Sequence, residues 1–258
     1  MSDRLVHLAV DAEIATITLD SPRNRNALSN QLVAEFEQAL ADADAAGPRA
    51  LVVGHTGPAF CAGADLKERA ASGIPDSSPI VRIMEHLMDA PYPTIAAVDG
   101  AVRAGGMGIM AACDLVVVNP SVTFALPEVR IGVVAAIVLV PLSRRVAPSH
   151  LAAAMLAGES FDAITARQIG LVTHLAEDVP AKVAELCAAI KLGAPGAVAE
   201  SKRALWRMST PNGAGPDRAA SFAAMKELSE RFFRSPDAQE GMRAFAEQRR
   251  PAWATDAG

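Results

Sequence analysis

The sequence predicts an α/β protein: a layered core over residues 1–195, followed by a helical region over residues 196–258. Three observations carry this expectation. Strand-like and helical runs alternate as far as about Ala125, whereas from about Ile137 onward the pattern is mostly helical. The chain has 258 residues, which suits one large domain or two small ones and is ample for a buried core. Half of it is apolar (51%) but only 4% is aromatic, so aliphatic side chains and alanine must build that core.

The elements read in order as follows. Arg4–Val10 and Glu13–Leu19 are strand-like and joined at Asp11-Ala12, and the second alternates Ile14, Thr16 and Thr18 with apolar neighbours, as expected of a hairpin. A polar loop runs from Asp20 to Asn26. Ser29 is placed to cap a helix that continues through Ala46, with Leu32, Phe36 and Leu40 on one face and Gly47-Pro48 ending it. Ala50–Gly54 reads as a buried strand, His55 to Ala64 as a loop, and Asp65 to Ala71 as a short polar helix. The stretch Ser72 to Ser78 carries turn residues. A helix over Pro79–Asp89, a strand over Thr94–Val98, a small-residue helix over Gly105–Cys113 and strands over Leu115–Val118 and Val122–Ala125 follow. Leu171–His174 is the one convincing late strand, and the tail from Gly196 to Arg250 holds three helical segments.

Charge and composition exclude several classes. With 24 Lys plus Arg against 29 Asp plus Glu, the formal net charge is −5, which argues against a nucleic-acid partner needing a basic face. A charged fraction of 21% with abundant aliphatic residues excludes a disordered chain. The longest apolar run, Ile131 to Leu142, contains Gly132 and Pro141 and is too short to span a membrane. The residues after Met1 lack the apolar core of a signal peptide, and Cys61, Cys113 and Cys187 are odd in number and widely spaced. The expectation is a cytoplasmic protein with reduced, mostly buried thiols and no membrane partner.

Three segments carry candidate chemistry. Ala104-Gly105-Gly106-Met107-Gly108 opens a helix, where unpaired N–H donors and the positive dipole end favour an anionic oxygen; the same small residues would also let the helix pack closely on a sheet. Gly106 to Ala111 matches a GxGxxA dinucleotide fingerprint, yet the preceding strand ends several residues too early and the next strand ends in Asn119 rather than an acid, so nicotinamide chemistry is not expected. Gly57 to Lys67 again presents backbone N–H groups at a helix entrance; alone it equally fits a Gly-rich connection with Asp65 as its cap. In Leu126 to Gly132, Glu128 follows a proline among apolar neighbours. Facing a closed pocket, its carboxyl would be desolvated and suited to proton transfer; at the surface it would pair with an Arg.

In this order and spacing these segments resemble the crotonase superfamily, the enoyl-CoA hydratase/isomerase family. The resemblance runs from Asn24-Arg25-Asn26-Ala27-Leu28 through Ala62-Gly63-Ala64-Asp65-Leu66-Lys67 and Thr94 to Gly100. It continues through Gly105-Gly106, Ala112-Cys113-Asp114-Leu115 and Pro127-Glu128 to Glu240-Gly241-Met242-Arg243-Ala244-Phe245. It implies a crotonase-like ββα spiral core with a C-terminal helical region that packs subunits into a homotrimer or homohexamer, for which Phe222, Met225, Phe232, Phe233, Met242 and Phe245 supply apolar surface, although packing on the chain's own core would need the same residues. The implied substrate is an acyl-CoA thioester, with coenzyme A as part of the substrate and no metal or redox cofactor; His7, His55, His86, His150 and His174 show no ligand spacing. By position the backbone N–H groups of Ala64 and Gly105 would polarise the thioester carbonyl, and Glu128 would handle the proton. Arg25, Ala27, Ala62, Asp65, Leu66, Lys67 and Gly106, with Arg23 nearby, would contact the rest of the substrate.

Two departures from the family pattern matter. Its hydratases usually carry two glutamates, and the position of the first falls here on Gly108; Glu85 and His86, on the preceding helix, are the candidate substitutes. Hydration of a trans-2-enoyl-CoA remains the first expectation, because some hydratase-like branches also have Gly there. A Δ3,Δ2-enoyl-CoA isomerase, which needs one carboxylate to shuttle a proton, is the alternative, and a catalytically silent acyl-CoA binder is a third. The second departure is the run Val133 to Val140, which would line an acyl pocket or form a buried helix; apolar runs usually mean core, so the buried helix is expected.

Overall fold

The computed structural model describes residues 4–68, 76–208 and 235–253. The N-terminal hairpin forms as the alternation requires: β1 (Val6–Asp11) pairs antiparallel with β2 (Ile14–Leu19), and Ala15, Ile17 and Leu19 turn inward while Ile14, Thr16 and Thr18 face out. The first helix, α1 (Asn30–Ala46), begins and ends where its caps dictate. The Ser29 hydroxyl accepts from the Leu32 N–H at 3.2 Å, and Gly47 closes the helix in a left-handed conformation.

Next come β3 (Ala50–His55), β4 (Ala59–Cys61), α2 (Ser78–Asp89), β5 (Thr94–Val98), β6 (Ala101–Arg103), α3 (Gly105–Ala112), β7 (Leu115–Val118) and β8 (Thr123–Ala125). They are followed by a 3-10 turn (Pro127–Ile131), α4 (Leu139–Ser143), α5 (Pro148–Ala157), β9 (Ser160–Asp162), α6 (Ala163–Gln168), β10 (His174–Leu175), α7 (Val179–Lys191), α8 (Pro195–Met208) and α9 (Pro236–Ala246). The strands sort into two sheets, one of six strands in the order β1-β2-β3-β5-β7-β10 and one of four in the order β4-β6-β8-β9.

The core lies between these layers. Leu51 and Val53 of β3, Ala96 and Val98 of β5 and Val116 and Val118 of β7 join α1, α2 and α3 in the main cluster. Their alternates Val52, Ile95 and Val117 pack against Val179, Val183 and Cys187 of α7 on the other face. Being covered on both sides, these central parallel strands read as continuous apolar runs rather than alternating ones.

Several expectations change. β4, β6 and β9 lie in stretches read from the sequence as loop or helix, because three-residue strands are too short to show a period of two. The late strand sits at His174–Leu175 rather than Leu171–His174. The expected buried helix over Val133–Val140 is overturned: residues 133–136 have no regular structure, Val133, Val134 and Val140 are 51, 73 and 61% exposed, and only Ala135 and Val138 of that run are buried. The helical turn after Asp65 is described only for residues 66–68, and Phe222, Met225, Phe232 and Phe233 lie outside the described residues. Among the described residues no helix is long and apolar enough to cross a membrane. Cys61, Cys113 and Cys187 are free and buried, and burial pushes the first two thiols up to about 12.

Candidate active site

β4, β6 and β8 are neighbouring parallel strands, with Cys61 beside Val102, Val102 beside Phe124 and Arg103 beside Ala125. Parallel neighbours deliver their exits at one edge, and ligands of open α/β sheets gather at such carboxyl ends. The three exits here are the three candidate segments: residues 62–64 after β4, Ala104-Gly105 after β6 and Pro127-Glu128 after β8.

The first two exits touch. Gly63 has φ +90°, and a β-carbon on it would stand 2.5 Å from the Ala104 methyl and 3.5 Å from the Gly105 nitrogen. Ala104 itself has φ +50° and is held there as its N–H donates to the Ala125 carbonyl at 3.1 Å. The chain then turns into α3, so the Gly105 N–H belongs to the first turn and has no helical acceptor. Ala64 forms a parallel bridge with Leu28 through the Leu28 N–H and Gly63 carbonyl, 2.8 Å apart, which leaves the N–H of Ala64 out of the pairing. Among the described residues neither the Ala64 nor the Gly105 N–H donates to an acceptor.

The loop before α1 braces this corner through Asn26, a residue whose role the sequence alone does not reveal. Asn26 is fully buried with φ +53°. Its Oδ1 accepts from Ser21 N–H at 2.7 Å, and its Nδ2 donates to the Thr56 and Ala59 carbonyls at 3.0 and 2.8 Å. Its neighbours then grip the first exit, for Ala62 N–H donates to the Arg25 carbonyl at 3.0 Å. The Leu28 Cδ1 lies 2.8 Å from where a Gly105 β-carbon would be. The one available signal was an Asn between a strand and a helix, where its tolerance of positive φ is useful.

Glu128 enters the 3-10 turn directly after Pro127. Its Oε2 is buried and has no hydrogen-bond partner among the described residues, and burial raises the carboxyl above its ordinary value, offset in part by its own backbone N–H. No surface ion pair forms with an Arg among the described residues, and the nearby Arg130 donates instead from Nε to the Ala157 carbonyl at 3.3 Å. Val129, Ile131, Val133 and Val134 surround this turn in sequence and are exposed.

Gly108 lies one helical turn beyond Gly105, on the same face of α3. Its side-chain space is occupied: a β-carbon there would meet Met84 Cε at 2.5 Å, Val138 Cγ1 at 2.8 Å and Met84 Sδ at 3.1 Å. Met84 carries no mark in the sequence and Val138 only that of the apolar run Val133 to Val140, since apolar side chains do not show which partner they will meet. The candidate substitutes lie elsewhere on α2. Glu85 is exposed, and His86 sits against Asp44 of α1, Nε2 to Oδ2 3.4 Å.

The remaining residues spread over a wider surface. Arg23, Arg25, Leu66 and Lys67 are exposed, and Ala62 and Asp65 half-buried. The Asp65 carboxylate caps its own turn, accepting from the Lys67 and Glu68 N–H groups at 3.0 and 3.3 Å. Ala27 and Gly106 are buried, the latter against Cys61, so their side-chain positions face the interior. The far end of α3 is fixed by Arg145, whose Nε donates to the Ala111 carbonyl at 2.8 Å and whose Nη2 donates to those of Cys113 and Asp114. Asp114 in turn pairs with Lys202 of α8 at 2.8 Å and accepts from the Trp206 indole at 2.7 Å. A cavity of about 890 Å³ lies elsewhere, between the outer face of the six-stranded sheet and α7, and none of the three exits lines it.

Known proteins share this fold. The sequence profile described as enoyl-CoA hydratase/isomerase matches residues 9–256. A Thermus thermophilus protein named as a candidate enoyl-CoA hydratase is 36% identical over 92% of this chain and 96% of its own. The mevalonyl-coenzyme A hydratase of Aspergillus fumigatus is 33% identical over 93% and 91%. The crystal structure of an enoyl-CoA hydratase from Mycobacterium smegmatis superposes with a TM-score of 0.89 at 29% identity, covering 98% of this chain and all of that one.

Proposed function

The chain belongs to the enoyl-CoA hydratase/isomerase family, and from that premise we propose that it adds water to a trans-2-enoyl-CoA, giving the 3-hydroxyacyl-CoA, in the breakdown of fatty or related acyl groups. The observation that carries the reading is the buried, unpartnered oxygen of Glu128 at the third of three adjacent strand ends. Desolvation makes a carboxyl in that state a stronger base, better able to take a proton and hand it back, which is what a single acid–base group must do here.

In this reading the thioester carbonyl lies between the Ala64 and Gly105 N–H groups. Both are main-chain dipoles held in place before the reaction, so they favour the enolate-like oxygen over the ground-state carbonyl; loss of one such donor typically costs about 3–4 kcal/mol of barrier. Glu128 takes the proton of a water as its oxygen bonds to C3, and the electron pair of the C2–C3 bond moves onto the thioester. Glu128 then delivers that proton to C2 and the enolate collapses, so atoms and charge balance without a metal or redox cofactor. The exposed Arg25 and Lys67 suit the phosphates of coenzyme A, and the backbone of 62–66 suits its pantetheine arm. Assembly as a homotrimer or homohexamer through the C-terminal helices belongs to the same reading, supported by the exposed Met242 of α9.

A second reading, Δ3,Δ2-enoyl-CoA isomerisation, is favoured by one observation: Met84 and Val138 fill the space beside Gly108 with apolar groups, where a second acid would otherwise hold water. The absorbance of the conjugated enoyl thioester separates the two. Loss of absorbance with a 2-enoyl-CoA supports hydration, a gain with a 3-enoyl-CoA supports isomerisation, and binding with neither change points to a silent binder. Glu128→Gln abolishes turnover while leaving binding nearly intact; full activity in that variant refutes the assignment.

A further inference from the structure

The corner where residues 63 and 105 meet is held by a third segment that belongs to neither loop. Residues 25–28 reach both sides of it. Their backbone grips the first exit, through the Arg25 carbonyl on Ala62 N–H at 3.0 Å and the Leu28 N–H on the Gly63 carbonyl at 2.8 Å. Their one large apolar side chain, Leu28, is 2% exposed and stands against the second exit at Gly105. The segment is rigid for a reason written in its hydrogen bonds. Asn26 turns the chain through two successive left-handed residues, Arg25 at φ +59° and Asn26 at φ +53°, and satisfies one acceptor and two donor positions with backbone partners on both flanking loops. A buried amide with this many fixed partners admits one conformation.

We propose that Asn26 and Leu28 are positioning residues of this site, a side-chain lock and an apolar spacer that together set the separation and aim of the Ala64 and Gly105 N–H groups. The inference rests on the reading that these two groups polarise a thioester carbonyl. Asn26 touches no substrate atom in this scheme. It fixes the loop whose backbone carries the 62–64 segment, and Leu28 keeps Gly105 from closing on that segment. A shift of about 1 Å in one donor is enough to cost about 10²-fold in rate.

The test uses Asn26→Asp, which keeps the acceptor for Ser21 N–H but loses both Nδ2 donations, and Leu28→Ala, which removes the spacer by an independent route should the first variant fail to fold. Butyryl-CoA carrying 13C at its thioester carbonyl is bound to each full-length protein and its C=O stretch recorded by difference infrared spectroscopy, alongside kcat and the dissociation constant. The expected result is a lowered carbonyl frequency in the wild type, a loss of that lowering in either folded variant, a fall in kcat of about 10²-fold and a nearly unchanged dissociation constant. A purely structural role would leave the frequency of the bound carbonyl where it was. A variant that keeps the lowered frequency overturns the proposal, whether its kcat survives or falls in step with weaker binding. A wild type that binds butyryl-CoA with no lowering refutes instead the reading of the two N–H groups, so the two failures are distinguishable.

Discussion

Replacing Gly108 by Ala tests the packing that separates this site from one with two carboxylates. In a helix interior the substitution is ordinarily favourable by about 1 kcal/mol. Here the new methyl would lie 2.5 Å from Met84 Cε and 2.8 Å from Val138 Cγ1, whereas carbon atoms in contact prefer roughly 3.5–4.0 Å. The Met84 terminus can swing aside, but Val138 is β-branched and buried, with one strongly preferred rotamer. Overpacking of this kind costs about 1–3 kcal/mol, so the net expectation for Gly108→Ala is a loss of about 1 kcal/mol. Val138→Ala alone should cost about 2 kcal/mol for the methyl groups and the space it leaves, and in that background Gly108→Ala should become stabilising. Urea denaturation of the four proteins closes the cycle, with an expected coupling of about 2 kcal/mol. An independent, stabilising Gly108→Ala in the wild type would refute the reasoning. The same geometry predicts that Gly108→Glu alone gains no hydration rate, because the apolar pair must move before a carboxyl can reach the cleft.

Other perturbations give equally definite expectations. Burial raises Glu128 in the folded chain, so its contribution is fully present below the ordinary carboxyl range and is lost as pH rises through the raised value. Glu128→Gln should therefore be at least as stable as wild type at pH 7, with the difference vanishing in acid, as thermal melts across pH will show; a variant less stable at pH 7 counts against the buried carboxyl. The kcat/KM of the wild type should rise with pH through a value above the usual carboxylate range, and a limb at an ordinary value would mean an exposed group. Gly63→Ala, at φ +90° and 2.5 Å from the Ala104 methyl, should lose several kcal/mol and most activity together. Lys202→Met breaks a pair whose side chains are 6 and 11% exposed, which should cost about 3–5 kcal/mol by urea unfolding, with Asp114→Asn in the same chain recovering part of it.

Much of this was legible in the sequence for identifiable reasons. The α1 boundaries followed from Ser29 and Gly47, whose capping chemistry is local. The two Gly-rich segments and Glu128 were legible because backbone approach and a carboxyl beside a proline leave marks on composition. The pairing of their strands was not, since β4, β6 and β8 are three residues each and owe their existence to one another. Val133 to Val140 misled for a related reason: hydrophobicity measures affinity for an apolar neighbour without saying whether that neighbour is the chain's own core. The decisive contacts of Asn26, Met84 and Val138 were not legible because each reaches a residue at least 24 positions away.

The two outward-facing amides at positions 64 and 105 carry an evolutionary corollary. Nineteen of the twenty amino acids bring an N–H with them, and only proline takes it away. Mutation therefore erodes this corner by bending the chain or crowding it, and scarcely ever by deleting the N–H groups to which the proposed reaction assigns the carbonyl. The carboxyl at 128 and the thioether at 84 have no such protection, each being one codon from something else. A lineage built on this frame would keep its grip on a carbonyl while trying out new fates for it.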